Sequence, residues 1–311
     1  MEKRQFGNTG KFVSEIGLGA WQLGNKNNGG EMTESEGIEI VNKAIELGCN
    51  FFDTAPNYAL GKSERILGKA LKDKRDQVII SSKFGHHANG EIGFDSNKLE
   101  QSVDESLKRL QTDYLDCLLL HNPPFEYLNG ESDHFEELEK LKRQGKIGAY
   151  GASVDSSDEM FEVINKTDSQ VIEVMFNIFH QDPARAFQAA HEKGIGLIIK
   201  VPLDSGWLSG KYNAQSTFDD IRSRWTPEII QRRTNMLEET KQYINPNQSL
   251  VKSALQFILA YEEVATVIPG AKSVQQLEEN FSASEGAMDK ETVQQLQNMW
   301  ESQLKDSSLP W

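Results

Sequence analysis

Apolar runs alternate with amphipathic stretches along the chain. The runs EIGLGAW (15–21), NFFDTA (50–55), VIISSKF (78–84), YLDCLLLH (114–121), IGAYGAS (147–153), VIEVMFN (171–177), GLIIKVP (196–202) and ATVIPG (265–270) each read as a strand. Most are apolar almost throughout, the mark of strands buried on both faces of a parallel sheet. Between them the period changes to that of a helix. In 34–48 Ile38, Val41, Ala44, Ile45 and Leu47 form one stripe, and Gly48 reads as the stop. The stretch 96–110 predicts a helix with Ser96 as N-cap and Leu99, Val103, Leu107 and Leu110 on one face. The stretch 132–146 predicts another, ending at Gly145.

Eight strands alternating with helices predict a single α/β domain over 1–311, a closed (β/α)8 barrel. The competitor, a doubly wound open sheet, calls for a GxGxxG turn after its first strand, and the chain has none there. Two segments break the rhythm. Residues 3–17 carry a turn at Asn8–Gly10 and read as an N-terminal hairpin closing the barrel bottom. Leu203 to Gln248 separates the last two strands widely. Its Trp207, Leu208, Phe218, Trp225, Ile229 and Ile230 predict an ordered lid rather than a disordered insert. A further helix is expected from Asp289 to Trp300, with an irregular end to Trp311.

Charge narrows the partners. A formal net charge of −14 over 311 residues argues against nucleic-acid or anionic-membrane surfaces, while leaving room for a local pocket for a small anion. The N-terminus is polar, and no stretch of about 18 apolar residues exists to span a membrane. Cys49 and Cys117 sit in apolar strand contexts without metal-ligand spacing, so two reduced thiols in a cytoplasmic protein are expected. His86 and His87 read as a loop feature rather than a metal pair, because adjacent residues rarely face one ion.

In such barrels chemistry sits at the C-terminal strand ends. The second strand ends at Asp53, with Tyr58 in the following loop; the third ends at Lys83 and the fourth at His121. Asp53 alone reads as a helix cap, Lys83 as a solvated strand end and His121 as a packed core imidazole. Together they suggest proton donation by Tyr58. Lys83 would lower the phenol's pKa from about 10, Asp53 would keep Lys83 charged, and His121 would direct the substrate oxygen. A group that protonates an oxygen suits hydride addition to a carbonyl.

These residues resemble the aldo-keto reductases, and in particular their bacterial, channel-β-subunit-like branch. The similarity spans essentially the whole chain, through GLGAW, DTAPNYALGKSERILGKAL, SSKFG, LLLHNPP, GKIGAYGAS, GWLSGKY and VIPGAKSVQQLEENF. The resemblance implies a (β/α)8 barrel, a nicotinamide cofactor, and a catalytic set of Asp53, Tyr58, Lys83 and His121. It places Gly19, Ala20, Trp21 and Ser153 beside the nicotinamide. Val154 stands where an asparagine is usual, Glu173 where a glutamine holds the carboxamide, and Lys200 where a tyrosine often stacks; Asn177 fits the usual strand end. Pro202, Leu203, Ser205, Leu208, Gly210 and Lys211 match the loop over the pyrophosphate. Gly270, Lys272, Ser273, Gln276, Glu279 and Asn280 match the adenosine end.

Lys272 favours NADPH, with NADH as the alternative because Gln276 replaces an arginine common in NADPH users. The implied partner is a small carbonyl substrate at a mouth lined by Trp21, Tyr58 and His121, together with His86, His87, Phe125, Tyr127, Trp207 and Trp225. No metal is implied, and the oligomeric state stays open. Two rival readings are a non-catalytic NADPH-binding redox sensor and a lyase with Lys83 as a Schiff-base lysine.

Overall fold

The computed structural model describes residues 1–27 and 30–310. Trp311, where the irregular end is expected to finish, lies outside them.

Eight parallel strands lie side by side in chain order: Leu18–Gly19, Phe51–Asp53, Ile79–Phe84, Leu115–His121, Ile147–Val154, Val171–Met175, Gly196–Lys200 and Val264–Val267. The last strand returns to the first. Gly17 N donates to Val267 O at 2.8 Å, Val267 N to Glu15 O at 3.0 Å, and Gly19 N to Pro269 O at 3.2 Å. These bonds close the sheet. Most strand residues are buried, as the near-continuous apolar runs predict for strands covered on both faces.

The strand side chains divide between two cores. Phe51, Ile79, Cys117, Leu119, Ala149, Val171, Ile198 and Ala265 fill the barrel. Alternate residues such as Phe52, Ile80, Leu118, Leu120 and Ile172 face the helices. Lys3–Gln5 and Phe12–Ser14 pair antiparallel, and the hairpin pushes Phe6 and Val13 into the interior cluster. Phe6 meets Phe51 edge-on at 5.6 Å, plugging one end of the barrel and leaving the strand C-termini at the other.

Local signals explain the helices, with two corrections. Glu34–Glu46 starts at Thr33, whose hydroxyl accepts from Glu36 N in a reciprocal capping box, and Gly48 follows it at φ 92°. Its buried face runs through Gly37, Ile40, Val41 and Ala44, so Ile38, Ile45 and Leu47 lie at the margin of the stripe rather than along its centre. Ser96 is not a cap. Asp95 caps a short turn at Ser96–Lys98, accepting from Asn97 N at 3.1 Å, and that turn leads into Leu99–Leu110.

The long connection is ordered. Tight turns at Asp204–Ser209 and Ile221–Arg224 precede the helix Pro227–Tyr243, which Thr226 caps and Pro227 opens. Lys290–Gln303 forms the last helix, capped by Asp289.

Candidate active site

Adjacent strands place Asp53, Lys83 and His121 at one barrel end. Lys83 is almost wholly enclosed. Its Nζ lies 2.5 Å from Asp53 Oδ1 and 3.2 Å from Glu173 Oε2, and donates to Thr54 O at 3.1 Å. The same ammonium stands 5.4 Å from the centre of the Tyr58 ring. Tyr58 in turn meets His121 edge-on at 5.9 Å. Ala59 and Leu60, both left-handed at φ 49° and 54°, turn the chain sharply behind Tyr58. Non-glycine residues pay steric strain there, which the surrounding packing must hold. The structure thus brings together all four residues singled out at the strand ends.

Burial and charge act on this group in opposite directions. Burial, reinforced by Glu173, pushes the Asp53 carboxyl up to about 8 against the pull of Lys83. Burial also opposes ionisation of Glu173, but Lys83 and Lys200 hold it below the ordinary carboxylate range. Lys83 is desolvated too, yet Asp53 and Glu173 raise its pKa and keep it an ammonium. Desolvation lowers His121 well below the usual imidazole value, helped by Lys83, so its ring is neutral. The expectation for Tyr58 needs correction. Lys83 does pull its pKa down, but desolvation, with Asp53 and Glu173 added, raises it overall. Tyr58 is therefore a firmly protonated phenol.

A second polar layer continues from Glu173. Ser153 Oγ donates to Glu173 Oε1 at 2.8 Å, and Lys200 Nζ donates to Ser153 Oγ at 2.8 Å and to Asn122 Oδ1 at 2.7 Å. Lys200 also pairs with Asp155 at 2.9 Å, and Asn122 Nδ2 donates to Asp155 at 2.6 Å. Asn122 and Asp155 were not legible as site residues, although each lies within two positions of one that was. The Asn177 amide is spent on Val201 O at 3.0 Å and Phe179 N at 2.8 Å.

The third element is a cationic corner. After the seventh strand Val201, Asp204, Ser205 and Gly206 all take positive φ, and the β-branched Val201 at 54° is a marked outlier. Arg222 Nε donates to Ser205 O at 2.9 Å and pairs with Asp220. Burial lowers the Lys272 pKa, and the nearby Lys211 and Arg222 lower it further. Among the described residues no carboxylate forms an ion pair with Lys211 or Lys272. Ser273 caps Val274–Phe281 by accepting from Gln276 N, while Gln276 Oε1 accepts from Lys272 N at 2.9 Å. Clustered cations at a capped helix start, in an acidic chain, fit a phosphorylated cofactor. The hydroxyl and carboxylate of Ser153 and Glu173 fit a carboxamide at its other end. The residues present therefore fit a nicotinamide dinucleotide.

Several expected contacts are placed differently. The Leu208 side chain is fully buried, and the Asn280 amide donates to Gly270 O at 3.2 Å. Trp207 and Trp225 do not line the mouth: they are buried against each other, with rings 6.3 Å apart, and pack around Phe218. Gly19 is a place of close approach, where a Cβ would meet Ile268 O at 2.6 Å. Trp21, Leu60, Ile92 and Phe125 remain exposed on the loops after the first four strands. Among the described residues no group of three or more His, Cys, Asp or Glu side chains is placed to hold a metal ion, and no helix is long and apolar enough to cross a membrane.

Comparison with known proteins gives a consistent set of relatives. A model of the aldo/keto reductase family matches residues 15–301. The uncharacterized oxidoreductase YqkF of Bacillus subtilis is 31% identical over 289 residues, covering 91% of each chain. L-galactose dehydrogenase of Arabidopsis thaliana is 31% identical over 314 residues, covering 97% of this chain and 95% of the relative. Among solved structures, the holo form of the aldo-keto reductase AKR11C1 from Bacillus halodurans superposes with a TM-score of 0.81 at 28% identity, covering 96% of each chain.

Proposed function

The chain belongs to the aldo/keto reductase family, and from that premise we propose that it reduces aldehydes or ketones to alcohols with NADPH, Tyr58 supplying the proton. The observation that carries this reading is Lys83, held as an ammonium between two carboxyl groups and aimed at the Tyr58 ring. A nicotinamide cofactor, when bound, would supply the hydride chemistry. Tyr58, protonated and desolvated, gives its proton to the carbonyl oxygen. The Lys83 charge stabilises the oxyanion and the phenolate left behind. His121, neutral and edge-on to Tyr58, donates a hydrogen bond that orients that oxygen. Ser153 and Glu173 hold the carboxamide, while Lys211, Arg222 and Lys272 hold phosphate. Lys272 favours NADPH over NADH.

The exposed Trp21, Leu60, Ile92 and Phe125 around the mouth favour an apolar carbonyl substrate. A Schiff-base role for Lys83 is disfavoured, because its carboxylate partners raise its pKa when that chemistry needs it lowered.

The test is steady-state NADPH oxidation across a panel of apolar, aromatic and polar aldehydes. Because one relative is named for L-galactose, that sugar with oxidised cofactor belongs in the panel. Tyr58→Phe should lower turnover by about 10²- to 10⁴-fold with cofactor affinity nearly unchanged. A variant that keeps half the parent rate rules out Tyr58 as donor. No turnover across the panel, with NADPH still bound, favours a sensor.

A further inference from the structure

The Asp53–Lys83–Glu173 group holds one cation between two carboxyl groups, all almost fully buried. Two of its oxygens, Asp53 Oδ2 and Glu173 Oε2, have no hydrogen-bond partner. Glu173 Oε2 is within ion-pair reach of Lys83 but out of line for a hydrogen bond. Both carboxyls converge on the same ammonium, at 2.5 and 3.2 Å from Lys83 Nζ, which brings them close to each other. Buried polar oxygens without partners are costly, and so is the unbalanced negative charge that two carboxylates on one ammonium would carry. One additional proton removes both costs.

We propose that Asp53 and Glu173 share a single proton between Asp53 Oδ2 and Glu173 Oε2, and that the pair thereby holds a reserve from which Tyr58 is recharged through Lys83. All the other contacts stay compatible. Asp53 Oδ1 still accepts from Lys83, and Glu173 Oε1 still accepts from Ser153. The opposed shifts of the two carboxyls agree with one proton per pair near neutrality, a proton that belongs to the pair rather than to either residue. The other titratable or charged groups around it are Lys83 on the third strand, Cys117 and His121 on the fourth, Lys200 on the seventh, and Tyr58. Burial keeps Cys117 and His121 neutral.

The proton balance is simple. Tyr58 gives its proton to the product oxygen, Lys83 passes an N–H proton to the Tyr58 oxygen, and the Asp53–Glu173 pair returns its shared proton to Lys83. No electrons move in these transfers, and the pair ends one proton poorer. Refilling has a hydrogen-bonded route from Glu173 through Ser153 to Lys200, which pairs with the partly exposed Asp155. Use of the reserve in turnover rests on the reductase reading; its existence does not.

The apoprotein tests existence. Infrared spectra at pH about 7 with ¹³C-aspartate labelling should show the carbonyl stretch of a protonated aspartic acid that shifts with the label. The band should titrate away near the value of about 8 and be lost in Glu173→Gln. Asp204→Asn, which removes the other buried aspartate raised by burial, should leave the band, and this assigns it even if Glu173→Gln fails to fold. Absence of the band from the wild type overturns the shared proton whether or not the protein turns over. Its presence in a protein inactive on every substrate leaves the shared proton standing and removes only the reductase reading.

Use of the reserve is read in a single turnover with a pH indicator. Proton uptake should lag alcohol formation in the wild type and keep pace with it in Glu173→Gln. Simultaneous uptake in both overturns the reserve.

Discussion

His86 and His121 stack, with ring centroids 4.2 Å apart and planes 23° from parallel. Both are held below the ordinary imidazole pKa, His121 by burial and Lys83, His86 by burial and His87. Two neutral rings stack without charge repulsion. His121 is thus fixed between the face of His86 and the edge of Tyr58.

His86→Ala should free the His121 ring. Aromatic pairs contribute about 0.5–1.5 kcal/mol, so kcat/KM should fall roughly two- to tenfold. His86→Phe, which keeps a stacking face, should restore most of the loss. An unchanged kcat/KM in the alanine variant would show that His121 needs no such support.

Lys272→Ala should weaken NADPH binding more than NADH binding. The corner retains Lys211 and Arg222, so the loss should be partial, about tenfold, and smaller at high salt. Fluorescence titration of both cofactors measures it. Equal affinities in the wild type, unmoved by the substitution, would sink the NADPH assignment.

Lys83→Met separates the two directions of the reaction. Tyr58 titrates above its ordinary value even with Lys83 present, and removing the ammonium moves it higher. Reduction needs the protonated phenol, so it should weaken without acquiring a new alkaline limit. Alcohol oxidation needs the phenolate, so it should be hit harder near neutrality and partly recover as pH rises. Rate–pH profiles in both directions check this. Borohydride trapping of substrate on wild-type Lys83 would instead establish the lyase.

Arg233 and Asp204 form a buried pair at 3.1 Å, and Arg233 also donates to Pro310 O at 3.1 Å. Arg233→Met strands Asp204 in the core, at a cost of about 3–5 kcal/mol. The double variant with Asp204→Asn should recover much of that loss. Denaturant unfolding measures both; a single variant within 1 kcal/mol of wild type would contradict the burial of this pair.

The strands were legible because a buried parallel strand writes a continuous apolar run, and a polar residue at its end stands out. Asp53, Lys83 and His121 are such residues. Asn122, Asp155 and the stacking face of His86 were not, since their partners come from other strands and a loop. The direction of the Tyr58 shift is not legible for a related reason: Lys83 is visible as a neighbour, whereas the burial that outweighs it, with Asp53 and Glu173 added, exists only in the closed fold. Trp207 and Trp225 show a further limit, because an aromatic-rich connection reads alike whether it covers a mouth or fills its own core.

The bonds joining Glu15, Gly17 and Gly19 to Val267 and Pro269 link opposite ends of the chain. A nascent chain cannot form them until Pro269 has left the ribosome. Until then the N-terminal strand presents unpaired N–H and C=O groups along an open edge, as does each newest strand at the other side. Such edges template pairing with other chains, and contacts this distant in sequence form slowly. A transcript that ends before Val264 should therefore yield an open, self-associating sheet rather than a smaller barrel.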